Sequence, residues 1–140
     1  MSPSFELQQL VYNTLLTDAG LLAEIAGRVY DRVPRATPLG AVTAEFPFVS
    51  FGPHSYIPDD YDCVVAGEHT LQIDVWSRKP GFPECKRIAD LVKKALHDVD
   101  LMMAENALAS ILVESVGFVR DADGLTSHGV VLVRASVEEC

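Results

Sequence analysis

The sequence predicts an α+β protein: a four- to five-stranded, mostly antiparallel sheet with a main helix packed on one face and N-terminal helices alongside. Three observations carry this expectation. Apolar and polar residues alternate strictly over Thr70-Leu71-Gln72-Ile73-Asp74-Val75-Trp76, the period-2 pattern of a half-buried strand. Across Ser77-Arg78-Lys79-Pro80-Gly81-Phe82-Pro83 the period then changes to about 3.6, as a helix requires. Nearer the C-terminus, two β-rich runs flank Asp123-Gly124, the strongest short-range hairpin signal in the chain.

Ser2-Pro3-Ser4 opens a first helix, with Ser2 or Ser4 as cap and Pro3 tolerated in the first turn. Leu7, Leu10, Val11, Thr14 and Leu15 line one side, and the stop falls near Asp18. A short second helix through Leu21, Leu22 and Ile25 ends at Gly27, which suits a left-handed C-terminal position. Val29-Tyr30 and Val33 read as a short strand. Pro34 to Glu45, with Pro34, Pro38 and Gly40, read as a surface loop. Phe48-Val49-Ser50-Phe51 is a β-type run whose leading Pro47 suits a first or edge position. From Gly52-Pro53 onward, Tyr56-Ile57-Pro58-Asp59-Asp60-Tyr61-Asp62 shows no period and reads as a long exposed excursion between strands.

The strand that follows puts Leu71, Ile73 and Val75 on the core face, a register that a one-residue slip would reverse. Trp76 falls on the polar face, where a neighbouring element or a partner is expected to cover it. Pro83 starts the main helix. Its buried stripe is Cys85, Ile88, Leu91, Val92, Ala95, Leu96 and Val99, with Lys86, Arg87, Asp90, Lys93, Lys94 and Asp98 opposite. Strands at Ser110 to Arg120 and His128 to Val137 complete the sheet. Leu112, Val116 and Phe118 are expected to share a face, and Val130-Val131-Leu132-Val133, apolar on both sides, to lie inside the sheet or at a buried interface.

A chain of 140 residues with 49% hydrophobic content can bury roughly two-thirds of its unfolded surface. No repeat or linker divides it, so residues 1–140 are expected to form one domain. Cys63, Cys85 and Cys140 are an odd number at spacings that fit neither a disulfide framework nor a CxxC site. A reducing compartment is implied. Met1 to Glu6 lacks the basic head and apolar run of a secretion signal, and nowhere do about 18 apolar residues run together, so a cytoplasmic protein without a membrane segment is expected.

The formal net charge is −9, from 20 acidic and 11 basic side chains, which argues against gripping nucleic acid through its phosphates. The charge is also segregated. No Lys or Arg lies between Arg35 and Arg78, a span that holds Glu45, Asp59, Asp60, Asp62, Glu68 and Asp74. Six of the 11 basic residues then cluster as Arg78, Lys79, Lys86, Arg87, Lys93 and Lys94. Two solvated faces would account for this pattern. So would a head-to-tail contact between copies, whose candidate residues are Tyr56, Asp59, Asp60, Tyr61, Asp62 and Trp76 together with those six basic side chains.

Catalytic signatures are few. The glycines form neither GxGxxG nor GxxxxGK[ST], so the usual phosphate loops are excluded. The chain has no GxSxG elbow and no HExxH. A zinc site from His54, Cys63 and His69 would need the intervening loop to fold back, and exposed histidines are the simpler expectation. Cys85 sits beside Lys86 in a helix first turn, where a thiol can be activated, but it also falls on the apolar stripe, where it packs as a small hydrophobe. Asp121-Ala122-Asp123-Gly124 starts like a calcium loop, yet the sixth and twelfth positions are Thr126 and Leu132. Asp59-Asp60-Tyr61-Asp62 reads as a solvated acidic loop. No catalytic, cofactor-binding or metal-binding residue is assigned, and no cofactor is expected.

The order of these elements resembles the phage tail-completion, or tail-terminator, proteins of the head-to-tail module of long-tailed phages and gene transfer agents. The resemblance is carried by Glu68 to Val99, preceded by Arg28-Val29-Tyr30-Asp31-Arg32-Val33-Pro34 and Phe46-Pro47-Phe48-Val49-Ser50-Phe51-Gly52. It continues through Asp121-Ala122-Asp123-Gly124-Leu125-Thr126-Ser127-His128-Gly129 and covers nearly the whole chain. It implies a structural, non-enzymatic protein that forms a ring, typically a homo-hexamer, which caps the tail tube, stops its polymerisation and joins tail to head. The implied partners are further copies, the tail-tube protein and head-tail connector or neck proteins, with DNA only as passing cargo. The protein would assemble in the cytoplasm and end in the neck or tail of a particle, from an infectious phage, a prophage or a gene transfer agent. The alternatives are a head-completion or neck connector of the same module, and a small enzyme or ligand-binding domain using Cys85 or the histidines.

Overall fold

Ser2 caps the first helix, α1 (Pro3–Thr17), by accepting a hydrogen bond from Phe5 N at 3.2 Å in the computed structural model, which describes residues 1–140. Asp18 ends α1 and caps α2 (Ala19–Ile25), its Oδ2 accepting from Leu21 N at 3.0 Å. The left-handed stop expected at Gly27 begins one residue earlier. Ala26 (φ 50°) donates its N–H to the Leu22 carbonyl, and Gly27 (φ 79°) follows in the same region.

The remaining elements are β1 (Val29–Tyr30), β2 (Phe48–Pro58), β3 (Ala66–Ser77), α3 (Pro83–Leu96), β4 (Ala107–Arg120) and β5 (Ser127–Glu138). They form one five-stranded sheet in the order β1-β2-β3-β5-β4, antiparallel except where β1 runs parallel to β2. Val33 is not part of β1. Extending the parallel register Val29↔Val49 would set Val33 against Pro53, which has no N–H to give.

Two further expectations are corrected by bulges. Tyr56, Ile57 and Pro58 belong to β2 rather than to a loose excursion, because an irregularity between Phe51 and His54 absorbs Gly52-Pro53 and the ladder resumes at His54↔Leu71. Leu112 does not share a face with Val116 and Phe118. A register shift between Val113 and Ser115 inserts a residue, so Leu112 stands opposite Arg134 on one face while Val116 stands opposite Val131 on the other.

All three helices cover one face. Cys85, Ile88, Ala89, Val92 and Leu96 of α3 are 0% exposed and meet Leu71, Ile73 and Val75 of β3 and Val131 and Val133 of β5 in one core cluster. The expected stripe also included Val99, which lies past the helix end and packs against the core only in part. β5 is central, as its two-sided apolar run requires. Gly129 lets α3 approach: a Cβ there would lie 3.0 Å from Cys85 Sγ and 3.3 Å from Val75 Cβ. Each fully buried aliphatic side chain is worth about 1.5–3 kcal/mol.

One buried carboxylate joins the N-terminus to the sheet. Glu6 accepts hydrogen bonds from Asn106 N (2.7 Å), Glu105 N (2.9 Å) and Asn106 Nδ2 (3.3 Å) just ahead of β4. The Asn106 backbone bond, above all, holds its acidity below the ordinary carboxylate range.

Ile88→Ala is expected to cost ~2–5 kcal/mol through the cavity it leaves. Gly129→Val is expected to cost ~1–3 kcal/mol by forcing α3 off the sheet. Urea unfolding of both variants checks this, and unchanged midpoints would contradict the packing described.

Candidate assembly surface

With every helix on one face, the helix-free face of the sheet and its two strand ends lie open, as do the edge strand β4 and the outer side of α3. The open face is polar and cross-paired. Arg134 bridges Glu68 and Glu114 across three strands, and Asp74 Oδ1 accepts from His128 Nε2 (2.7 Å) and Gln72 Nε2 (2.8 Å). Trp76 lies on this face as expected and is covered from within the chain. Its ring stacks on His128 with centroids 3.9 Å apart and an 8° tilt, while Nε1 donates to Ser50 Oγ at 3.0 Å.

At one end of the sheet, the starts of β2 and β5 and the end of β3 meet the loop before β2. Together they form a cleft of about 450 Å³. Phe48 and Trp76 make its floor, and Val33, Val42 and Phe46 make one wall. The Arg78 guanidinium lies 4.2 Å from the Phe46 ring centroid, and its Nε donates to Thr126 Oγ1 at 3.2 Å. Arg35, on the same wall, donates to the Gly40 carbonyl at 3.0 Å. The loop carrying this wall is the one expected at Pro34 to Glu45, drawn into a narrow fold by the Arg35↔Val42 bridge.

The β2–β3 hairpin turns at the opposite end, and its tip is held in one shape. Tyr61 and Val64 exchange backbone hydrogen bonds (3.1 and 2.8 Å), Asp60 Oδ1 accepts from Ala66 N, and Tyr61 OH donates to Glu138 at 2.6 Å. The Glu138 carboxylate pushes the Tyr61 hydroxyl pKa up. Ile57 is 73% exposed here and Val65 51%, between the side chains of Asp59, Asp60 and Asp62. Of the expected acidic and aromatic residues, Asp59, Asp60, Tyr61 and Asp62 are brought together at the tip, whereas Tyr56 stacks on His69 in the helix-covered layer.

The six basic residues are divided, four on α3 and two ahead of it. Arg78 belongs to the cleft, and Lys79 pairs with Glu84 at 3.3 Å. Lys86, Arg87, Lys93 and Lys94 lie on the outer side of α3, where Arg87 forms a two-pronged pair with Glu24 and Lys94 pairs with Asp90. Charge spent on a neighbouring carboxylate offers little to a partner.

Sequence reasoning missed the histidine pair. His54 Nε2 and His69 Nδ1 are 2.9 Å apart across the β2–β3 ladder, and His69 is buried rather than exposed. Cys63 stands apart, exposed at the hairpin tip. No three His, Cys, Asp or Glu side chains converge as metal ligands. Burial lowers both histidine pKa values. The Cys85 thiol, buried against the Val75 carbonyl, is pushed up to about 11, the opposite of an activated nucleophile.

A model of the family described as Tail completion protein gp17 matches residues 9–138. The chain belongs to this family. It is also similar to a chain in a structure titled "Virion of native gene transfer agent (GTA) particle", with a TM-score of 0.84, 27% sequence identity and 96% of each chain covered. No curated protein sequence matches. This tail-completion family member therefore has a structural role in completing a phage-type tail. No helix of it is long and apolar enough to cross a membrane.

Because the folded histidine pKa values lie below 6.5, the unfolded state binds more protons as pH falls through that value. The stability contributed by neutral His54 and His69 is complete above about pH 6.5 and is lost below it. The urea midpoint is expected to drop between pH 7.5 and 5.5, and the His54→Gln/His69→Gln double variant to flatten that drop. An equal drop in the double variant would remove the pair from the account. In a thiol-alkylation time course, Cys63 and Cys140 should react promptly and Cys85 only on unfolding; prompt reaction of Cys85 would reopen a chemical role.

Proposed function

We propose that the protein is a tail terminator. Copies close into a ring, six in number by the resemblance, on the last ring of the tail tube, stop its polymerisation and present the surface on which the filled head docks. The observation that carries this reading is the match over 96% of both chains to a component of a gene transfer agent virion, in a chain of the tail-completion family. The role is one of shape and surface rather than catalysis, and the raised Cys85 pKa agrees with it.

A ring requires a heterologous contact that closes after a fixed rotation, so each copy must carry two different, complementary patches. The acidic hairpin tip is the candidate for one of them. DNA must also pass through the bore without sticking, and a net charge of −9 per copy favours an acidic lumen.

Deleting the gene is expected to give tails of unregulated length and heads that carry none; particles with tails of normal length would overturn the reading. In pull-downs, the protein should retain tail-tube protein, whereas retention of portal protein alone would indicate a neck connector. Rings should weaken as salt rises to about 0.5 M, because exposed charge pairs are screened. Rings indifferent to salt would remove the electrostatic part of the proposal.

A further inference from the structure

We propose that the ring is closed by a specific insertion: the β2–β3 hairpin tip of one copy seats in the aromatic cleft of the next. This rests on the ring reading above and names the contact that reading leaves open.

The two features lie at opposite ends of the same strands. β3 runs 12 residues from the tip to the cleft, or ~40 Å at 3.3 Å per residue. A tip therefore cannot reach the cleft of its own chain. A contact between them joins two copies head to tail, and such contacts propagate to a closed ring or an open filament.

Their chemistry is complementary. The tip presents apolar Ile57 and Val65 amid Asp59, Asp60 and Asp62, with no basic side chain anywhere between Arg35 and Arg78. The cleft presents the Trp76 ring over buried Phe48, with the guanidinium groups of Arg35 and Arg78 on its lining against the single carboxylate of Asp121. Arg35 has no carboxylate partner within its own chain, being bonded only to the Gly40 carbonyl. Arg78 is braced by Phe46 and Thr126 and pairs with Asp123 at 3.9 Å, half of its side chain staying exposed to a second carboxylate. Asp59 and Asp62 are likewise free to accept from a guanidinium. The volume, about 450 Å³, falls in the range of sites that enclose several side chains.

Both partners are already shaped for the contact. The tip is fixed by the Tyr61–Val64 bridge and by bonds to Glu138 and Glu139, and the cleft by the Phe46, Phe48 and Trp76 rings. Little conformational freedom remains to be lost on association.

The chain supplies its own probe, since Cys63 sits exposed on the tip. In a Cys140→Ser background, Val42→Cys adds one thiol to the cleft wall. Each copy then carries one tip thiol and one cleft thiol, so mild oxidation is expected to give a ladder of disulfide-linked species beyond the dimer. Cys63 alone can give dimers at most. Arg35→Glu should cut the ladder ~tenfold through like-charge repulsion, and Asp62→Arg in the same chain should restore it.

Products that stop at the dimer, or a ladder untouched by Arg35→Glu, would overturn the insertion. So would linkage of the cleft thiol to tail-tube protein instead of to other copies. Solution mass of the unlinked protein separates the two proposals. Rings without a ladder keep the ring and remove this contact, whereas monomers without a ladder at high concentration count against both.

Discussion

Helix α3 buries five side chains from successive turns against the middle strands of the sheet and leaves the reverse face bare, and the rest of the structure is arranged around that asymmetry. A sheet covered on both sides would have only loops to offer. Here the central strands β3 and β5 are stabilised from one side by Ile88, Val92 and Leu96. Their other side carries a solvated network around Asp74, His128 and Arg134. The network is satisfied within the chain, so the open face is stable in water before any partner arrives.

The same packing lets the hairpins run long. Residues 55–63, the end of β2 and the turn after it, are all exposed. The tip is ordered because its polar groups bond to the neighbouring end of β5, not because it is buried. At the other end, Phe46, Phe48 and Trp76 cluster because the loop from Pro34 to Glu45 folds down over the start of β2. Aromatic faces there gain from each other and from the Arg78 guanidinium. The buried core thus lies apart from the two strand ends, and a small change at either end need not disturb it.

Much of this was legible in the residues. The alternation of Thr70 to Trp76 and the helical stripe from Cys85 to Leu96 report burial directly, and burial on one side fixed the register. Asp123-Gly124 marked the hairpin because a turn has few chemical solutions. The bulges were not legible. Gly52-Pro53 looks like a strand's end, and only the pairing of His54 with Leu71 beyond it shows the ladder resuming; Val113-Glu114-Ser115 carries neither Gly nor Pro. The candidate site was half visible. Asp59 to Asp62 are adjacent in sequence and stayed adjacent in space, whereas the cleft gathers Arg35, Phe48, Trp76 and Arg78 from separate segments. A run of basic residues likewise gave no warning that Lys79, Arg87 and Lys94 would be occupied by Glu84, Glu24 and Asp90, since those pairs form between or along helices after folding.

Location within a particle tests the account most directly. A small epitope inserted beside Met102, which is 89% exposed in the loop before β4, can be labelled and imaged on assembled particles by electron microscopy. The account predicts a single ring of label at the junction of head and tail on each particle. Label distributed along the tail, or confined to its far tip, would contradict it.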